Sequence, residues 1–195
     1  MTTSNIPNAP ALPAKLLPSP AEFDGDQVRP DALRRIAAAV AARPESWASL
    51  VSFDLAERYF TRLHHDERFE VWLICWERGQ DTLLHDHGGS VGGFAVARGT
   101  LVEDHAEPAA RRLRTRSHRA GDSVAFGARY LHNLVNVATE PAITVHAYSR
   151  PLHTMNFYCW LPSGAHHLRE IACASPEPDT ADLERVAART RALSR

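Results

Sequence analysis

The sequence predicts a mainly β fold: a single sandwich or barrel of short strands, with helices before it and one short helix after it. Three observations carry this. From Tyr59 to Tyr148, short segments rich in branched and aromatic residues recur between glycine or polar breaks, the pattern of a two-sheet or closed β architecture. Ahead of them, Leu33, Ile36, Ala37 and Val40 follow the i, i+3, i+4, i+7 spacing of a helix with one apolar face. Between the strands, His85-Asp86-His87 lies in a glycine-bounded stretch from Gly79 to Gly99. On a strand, side chains alternate, so His85 and His87 share a face, about 7 Å apart, and Asp86 takes the other. Two imidazoles so placed can share one metal ion.

In chain order, residues 1–28 are rich in Pro, Ala and Ser without a period and read as a flexible tail. Residues 29–52 read as a helical segment packed on the barrel. Pro30 opens the helix, Pro44 limits it, and a further helical turn is expected from Trp47 to Val51. The barrel is expected over 53–174. Tyr59 to Leu63 reads as a strand, His64-His65-Asp66-Glu67 as a turn, and Phe69 to Trp76 as a strong β segment. The His-Asp-His strand follows, then strands at Val91–Ala97, Thr100–Glu103, Arg112–Ser117, Ser123–Phe126, Leu131–Val135 and Ala142–Tyr148. Trp72 and Trp76, four apart, share a face and read as core; Met155 and Tyr158 read as packing residues. The arginine-rich run from Arg111 to Arg119 reads as the solvated face of an edge strand. Ser175-Pro-Glu-Pro breaks the chain, and in 175–195 Thr180 caps a short helix carrying Leu183, Val186 and Ala187.

Composition narrows the function classes. At 195 residues with 44% hydrophobic residues the chain suits one domain with tails. A net charge of −1 argues against a nucleic-acid binder. No apolar run approaches the roughly 20 residues of a membrane span, and the N-terminus lacks the pattern of a signal peptide. Three cysteines, Cys75, Cys159 and Cys173, fit neither a disulfide framework nor metal spacing, so a reducing cytoplasm and a monomer are expected.

A metal on His85 and His87 needs a further ligand, and His132, near the start of a predicted strand, is the best candidate. Glu103, Asp104 and His105 compete for that role but are placed on a loop. Gly79, five residues, His85-x-His87 and then Gly99 resembles the first cupin motif, and Gly121, a turn, His132, three residues and Asn136 resembles the second. That resemblance implies a cupin jelly-roll barrel. The position of the usual cupin glutamate ligand is Gly92. Three neutral imidazoles leave a divalent ion with its full charge, which favours anionic ligands such as a thiolate.

A three-histidine cupin resembles the thiol dioxygenases, most closely bacterial cysteine dioxygenase of type I, over about Tyr59 to Tyr158. The resemblance implies a non-haem Fe(II) enzyme on His85, His87 and His132 that adds both atoms of O2 to the sulfur of L-cysteine, giving cysteine sulfinic acid. Its partners are then a small thiol and O2, with no nucleic acid and no membrane. The family's Ser-His-Tyr triad matches Thr144, His146 and Tyr148, and its carboxylate-binding arginine matches Arg62. Gly92 excludes the cysteine–tyrosine crosslink of the mammalian enzymes. Ser149-Arg150-Pro151 replaces the family's Ser-Pro-Pro, so the cis-proline is absent, and Arg150 becomes a second candidate to reach a carboxylate. His64, His65, His153, His166 and His167 read as surface or loop residues. Competing functions are a dioxygenase of 3-mercaptopropionate or another small thiol, a metal-binding cupin sensor, and a zinc or nickel isomerase or hydrolase.

Overall fold

The computed structural model describes residues 12–107, 109–173 and 182–193. After two short 3-10 turns come β1 (Phe23–Asp24), β2 (Gln27–Val28) and α1 (Pro30–Ala41). Two more 3-10 turns, at Pro44–Ser46 and Ala48–Leu50, lead into the strands. These are β3 (Tyr59–His65), β4 (Glu70–Trp76), β5 (Leu84–Asp86), β6 (Val91–Arg98), β7 (Thr100–Ala106), β8 (Arg114–Arg119), β9 (Ser123–Phe126), β10 (Leu131–Val135), β11 (Ala142–Ser149), β12 (Thr154–Leu161) and β13 (Gly164–Ala172), and α2 (Leu183–Leu193) follows.

Two antiparallel sheets face each other as a jelly roll. The larger has the order β13-β12-β5-β10-β7-β8 and the smaller β3-β4-β11-β6-β9. The smaller sheet is buried on both faces, which is why β4 and β11 read as unbroken buried runs. One face, with Val71, Leu73, Cys75, Ala95, Ile143, Val145 and Ala147, packs on Leu33, Ile36 and Val40 of α1. The other carries Trp72, Ile74, Trp76, Phe94, Val96, Phe126 and Tyr148 into the interior between the sheets.

Sequence dictates how closely α1 can approach. A Cβ on Gly93 of β6 would lie 2.6 Å from the Arg34 backbone nitrogen and 2.7 Å from its Cα. Bare strand backbone therefore sets the helix-to-sheet distance. Burying Leu33, Ile36 and Val40 there stabilises the fold by about 1.5–3 kcal/mol each.

The observed elements depart from the sequence reading in several places. His64 and His65 continue β3, pairing with Val71 and Glu70, and the turn is tightened by Asp66, whose Oδ1 accepts the Arg68 and Phe69 N–H groups. Glu103, Asp104 and His105 lie within β7 rather than on a loop, because all three pair with β10 and β8. The strands β12 and β13 went unread. In β12, Met155, Phe157, Cys159 and Leu161 alternate with less buried residues, a legible period of two; β13 is an edge strand with little apolar content. Within the expected tail, residues 12–28 form the first turns and the β1–β2 ribbon, since Val28 is buried and its N–H donates to Ser149 Oγ. The helix α2 sets Leu183 and Ala187 against that alternating face of β12. The expected break at Ser175 and the Thr180 cap lie outside the described residues, as do residues 1–11 of the tail. Among the described residues no helix is long and apolar enough to cross a membrane.

Replacing Gly93 with alanine is expected to push α1 off the sheet. Stability should fall by about 1–3 kcal/mol, the usual cost of overpacking, read as a lower denaturation midpoint at unchanged m-value.

Candidate metal centre

The larger sheet brings the three sequence-distant histidines together. His85 on β5 and His132 on β10 are direct cross-strand partners, and His87 follows β5 by one residue. One nitrogen from each of the three lies within 4.8 Å of the others, and all three rings are buried. His85 Nε2 and His87 Nε2 are 3.2 Å apart. The centre is packed by aromatic faces: Phe126 stacks on His87 at 4.9 Å between centroids, and Phe157 lies 5.9 Å from His85.

Outer contacts fix the tautomers. His85 Nδ1 lies 2.9 Å from the Leu83 carbonyl oxygen, which can only accept, so Nδ1 carries the proton and Nε2 keeps a lone pair. Leu83 has φ +57°, an uncommon left-handed conformation for a leucine. His132 Nδ1 donates to Glu103 Oε1 at 3.0 Å, with the same consequence. Desolvation by burial, followed by neighbouring imidazoles, holds His85 and His87 well below the ordinary histidine pKa. Imidazole lone pairs turned inward suit a divalent metal ion.

Glu103 is the fully buried anion of this centre. Besides His132, its carboxylate accepts from His118 Nε2 at 2.8 Å, Arg116 Nε at 2.7 Å and the Tyr130 hydroxyl at 3.1 Å. Arg116 Nη2 also donates to the Tyr130 oxygen at 2.7 Å. Burial alone would raise the Glu103 pKa; the bonds from His118, His132 and Arg116 outweigh it and hold the carboxyl well below the usual range. Burial and the Glu103 charge push the Tyr130 phenol up. The basic run is therefore not solvated throughout. It forms an edge strand, but Arg116 and His118 turn inward and hold the carboxylate behind His132. Their alternate spacing was the available signal; that β8 lies beside Glu103 is a matter of register.

The smaller sheet presents the second set. Thr144, His146 and Tyr148 alternate along β11 on the interior face. Trp76 Nε1 donates to Thr144 Oγ1 at 2.9 Å, Thr144 Oγ1 lies 2.9 Å from His146 Nε2, and the Tyr148 hydroxyl lies 3.1 Å from His146 Nδ1. The Tyr148 ring is 4.9 Å from that of His87, so this chain reaches the three-histidine cluster. Desolvation first, then the His132 charge, lowers His146 to about 3, leaving a neutral imidazole.

Arg62 shares the face of these residues: it pairs with Trp72 on β4, which pairs with His146 on β11. Its guanidinium lies 5.1 Å over the Trp72 ring, with Nη1 3.6 Å from Glu70 Oε2. Arg58 lies 4.8 Å over Trp76, and its charge acts on His85 and His146; the sequence reading passed over it. Arg150 does not turn towards the interior. Both arms of its fork bind exposed Asp26 at 3.0 Å. The cis-proline is absent, as the sequence shows, and the Ser149–Arg150 peptide is cis without it. Ser149 Oγ there donates to the Arg68 carbonyl and accepts from Val28. A Cβ at Gly92 would sit 2.4 Å from the Phe126 ring, so that ring occupies the space of any side chain there.

Comparison with known proteins follows the same lines. A profile of the cysteine dioxygenase type I family matches residues 20–160. The chain is 28% identical over 152 residues to cysteine dioxygenase type 1 of Rattus norvegicus, covering 70% of this chain and 72% of that one. It is 26% identical over 144 residues to the Danio rerio protein of the same name, covering 68% and 71%. Among solved structures it is similar to a cupin-superfamily sugar phosphate isomerase from Silicibacter pomeroyi, with 24% identity, a TM-score of 0.46, and coverage of 59% of this chain and 78% of that one. With a profile match spanning most of its length, the chain belongs to the cysteine dioxygenase type I family, a family of thiol dioxygenases.

Proposed function

We propose that the protein is a non-haem Fe(II) dioxygenase that converts L-cysteine and O2 to cysteine sulfinic acid. The observation that carries this reading is a buried cluster of three histidines facing the Thr144–His146–Tyr148 chain across the interior. His85, His87 and His132 would hold the ion. Bound Fe(II) would supply redox chemistry that Zn²⁺ lacks, with both oxygen atoms ending on the substrate sulfur.

The remaining residues bind, orient and exclude water. Arg62 would hold the substrate carboxylate. Its 3.6 Å approach to Glu70 is an ion pair longer than a hydrogen bond, which orients the guanidinium without saturating it. Around His146, one hydrogen-bond assignment satisfies every group in sequence. Trp76 N–H donates to Thr144, the Thr144 hydroxyl donates to His146 Nε2, and His146 Nδ1–H donates to the Tyr148 oxygen. The Tyr148 proton is then directed away from His146, where it can serve the substrate. His146, neutral throughout the physiological range, is a positioning group and not a proton store. Phe94, Phe126 and Trp72 keep the interior dry, which strengthens each of these polar contacts. Glu103 anchors His132 from behind.

Iron-loaded protein is expected to consume one O2 per cysteine sulfinate formed, followed by an oxygen electrode and mass spectrometry with L-cysteine and 3-mercaptopropionate side by side. Faster turnover of 3-mercaptopropionate reassigns the substrate while keeping the chemistry; no uptake with any thiol at full iron content removes the dioxygenase. Glu103→Gln should weaken iron binding by about 10–100-fold, the usual cost of losing a partner behind a histidine ligand, measured by chelator competition. Thr144→Val breaks the chain at its middle, and kcat is expected to fall on the order of tenfold with KM unchanged, a share of what a positioned proton donor contributes.

A further inference from the structure

We propose that Trp72 donates its indole N–H to the carboxylate of the thiol substrate, so that Trp72 and Arg62 together form a subsite selecting carboxylate-bearing thiols. The inference rests on the dioxygenase reading above and adds a residue that neither the histidine cluster nor the Thr144–His146–Tyr148 chain accounts for.

Trp72 is 4% exposed, and its Nε1 is buried with no hydrogen-bond partner among the described residues. Buried N–H donors are nearly always satisfied, because losing water without replacement costs free energy. The other buried indoles keep the rule, and the one further buried side-chain nitrogen without a hydrogen-bond partner among the described residues is His64 Nε2. Trp76 Nε1 donates to Thr144 Oγ1 and Trp47 Nε1 to the Val40 carbonyl. Trp72 departs from it at one particular place. In the register of the smaller sheet it stands directly between Arg62 on β3 and His146 on β11, on the face that looks into the interior.

The surroundings fix the ring rather than fill its donor's need. Arg62 lies 5.1 Å over it and Phe60 meets it edge-on at 5.8 Å. Arg62 is in turn steadied by Glu70, whose Oε1 accepts the Leu152 N–H at 3.0 Å while Oε2 faces the guanidinium. Two donors of different kinds, one charged and one neutral, thus share one face of the sheet in register with His146. A carboxylate has two acceptor oxygens and a charge and matches that pair; a thiol ending in an ammonium has no acceptor, and a hydroxyl offers one uncharged oxygen. An indole N–H can only donate, so the position discriminates for an acceptor.

The test is Trp72→Phe, which keeps an aromatic ring under Arg62 and removes the indole donor together with the five-membered half of the ring. Equilibrium binding of L-cysteine and of cysteamine, the same aminothiol without its carboxylate, is measured by calorimetry on iron-loaded protein without O2. Loss of the donor is expected to weaken L-cysteine binding about tenfold, or about 1.4 kcal/mol, to leave cysteamine binding unchanged, and to raise the KM for cysteine while kcat holds. Lost ring volume lowers the melting temperature of the ligand-free protein in either case, so the difference between the two thiols is the readout that a merely structural tryptophan would not move. Equal weakening of both thiols, or unchanged cysteine binding, overturns the proposal. The two readings fail separately: a variant that loses carboxylate-dependent binding in a protein that turns over no thiol sinks the dioxygenase alone, and normal turnover with unchanged binding sinks the Trp72 subsite alone.

Discussion

A period of two governs this molecule. In the smaller sheet the central strands alternate between a face that joins the apolar cluster containing α1 and a face turned to the interior, and in β4 and β11 both are buried. In β4 that alternation sends Val71, Leu73 and Cys75 to the apolar cluster that includes α1 and Trp72, Ile74 and Trp76 to the interior. In β11 it sends Ile143, Val145 and Ala147 one way and Thr144, His146 and Tyr148 the other. A slip of one residue in either strand would exchange the helix-packing set for the polar one. The apolar packing of α1 thus sets the register that aims the hydrogen-bond chain, and the bare backbone at Gly93 lets the helix come close enough to do so.

The larger sheet solves a different problem, the burial of a charge. A carboxylate inside a protein is costly unless its lone pairs are engaged. Glu103 engages four groups, His118, Arg116, Tyr130 and His132, drawn from β8, β10 and the turn before β10. The same bonds that make its burial tolerable determine which nitrogen of His132 carries the proton. An edge strand rich in arginine, exposed along most of its length, is thereby tied to the orientation of a metal-facing imidazole.

Two local substitutions are absorbed without disturbing this frame. With no side chain at Gly92, the Phe126 ring moves into the space and stacks on His87, so that a hydrophobic wall stands where a heteroatom would otherwise face Tyr148. At Arg150 the charge is carried to the surface and matched by Asp26 on the β1–β2 ribbon. The backbone beside it stays anchored through the buried Ser149 hydroxyl. Neither residue brings a new polar group into the interior, where Arg58 lies over Trp76 and Arg62 over Trp72.

The sequence by itself determined what is local. Branched and aromatic runs marked most of the strands, the 3.6-residue spacing after Pro30 marked α1, and alternation placed His85 with His87 and Thr144 with His146 and Tyr148. These depend on backbone periodicity, which a few neighbouring residues report. Only the tertiary structure decided what lies opposite what. That His132 is the cross-strand partner of His85, that Glu103 is a buried anchor and not a loop residue, that Arg116 and His118 leave a solvated run to reach it, and that the Trp72 N–H, in register between Arg62 and His146, has no hydrogen-bond partner among the described residues all follow from strand order and register. Those are set by pairing between segments far apart in the chain, and no local pattern encodes them.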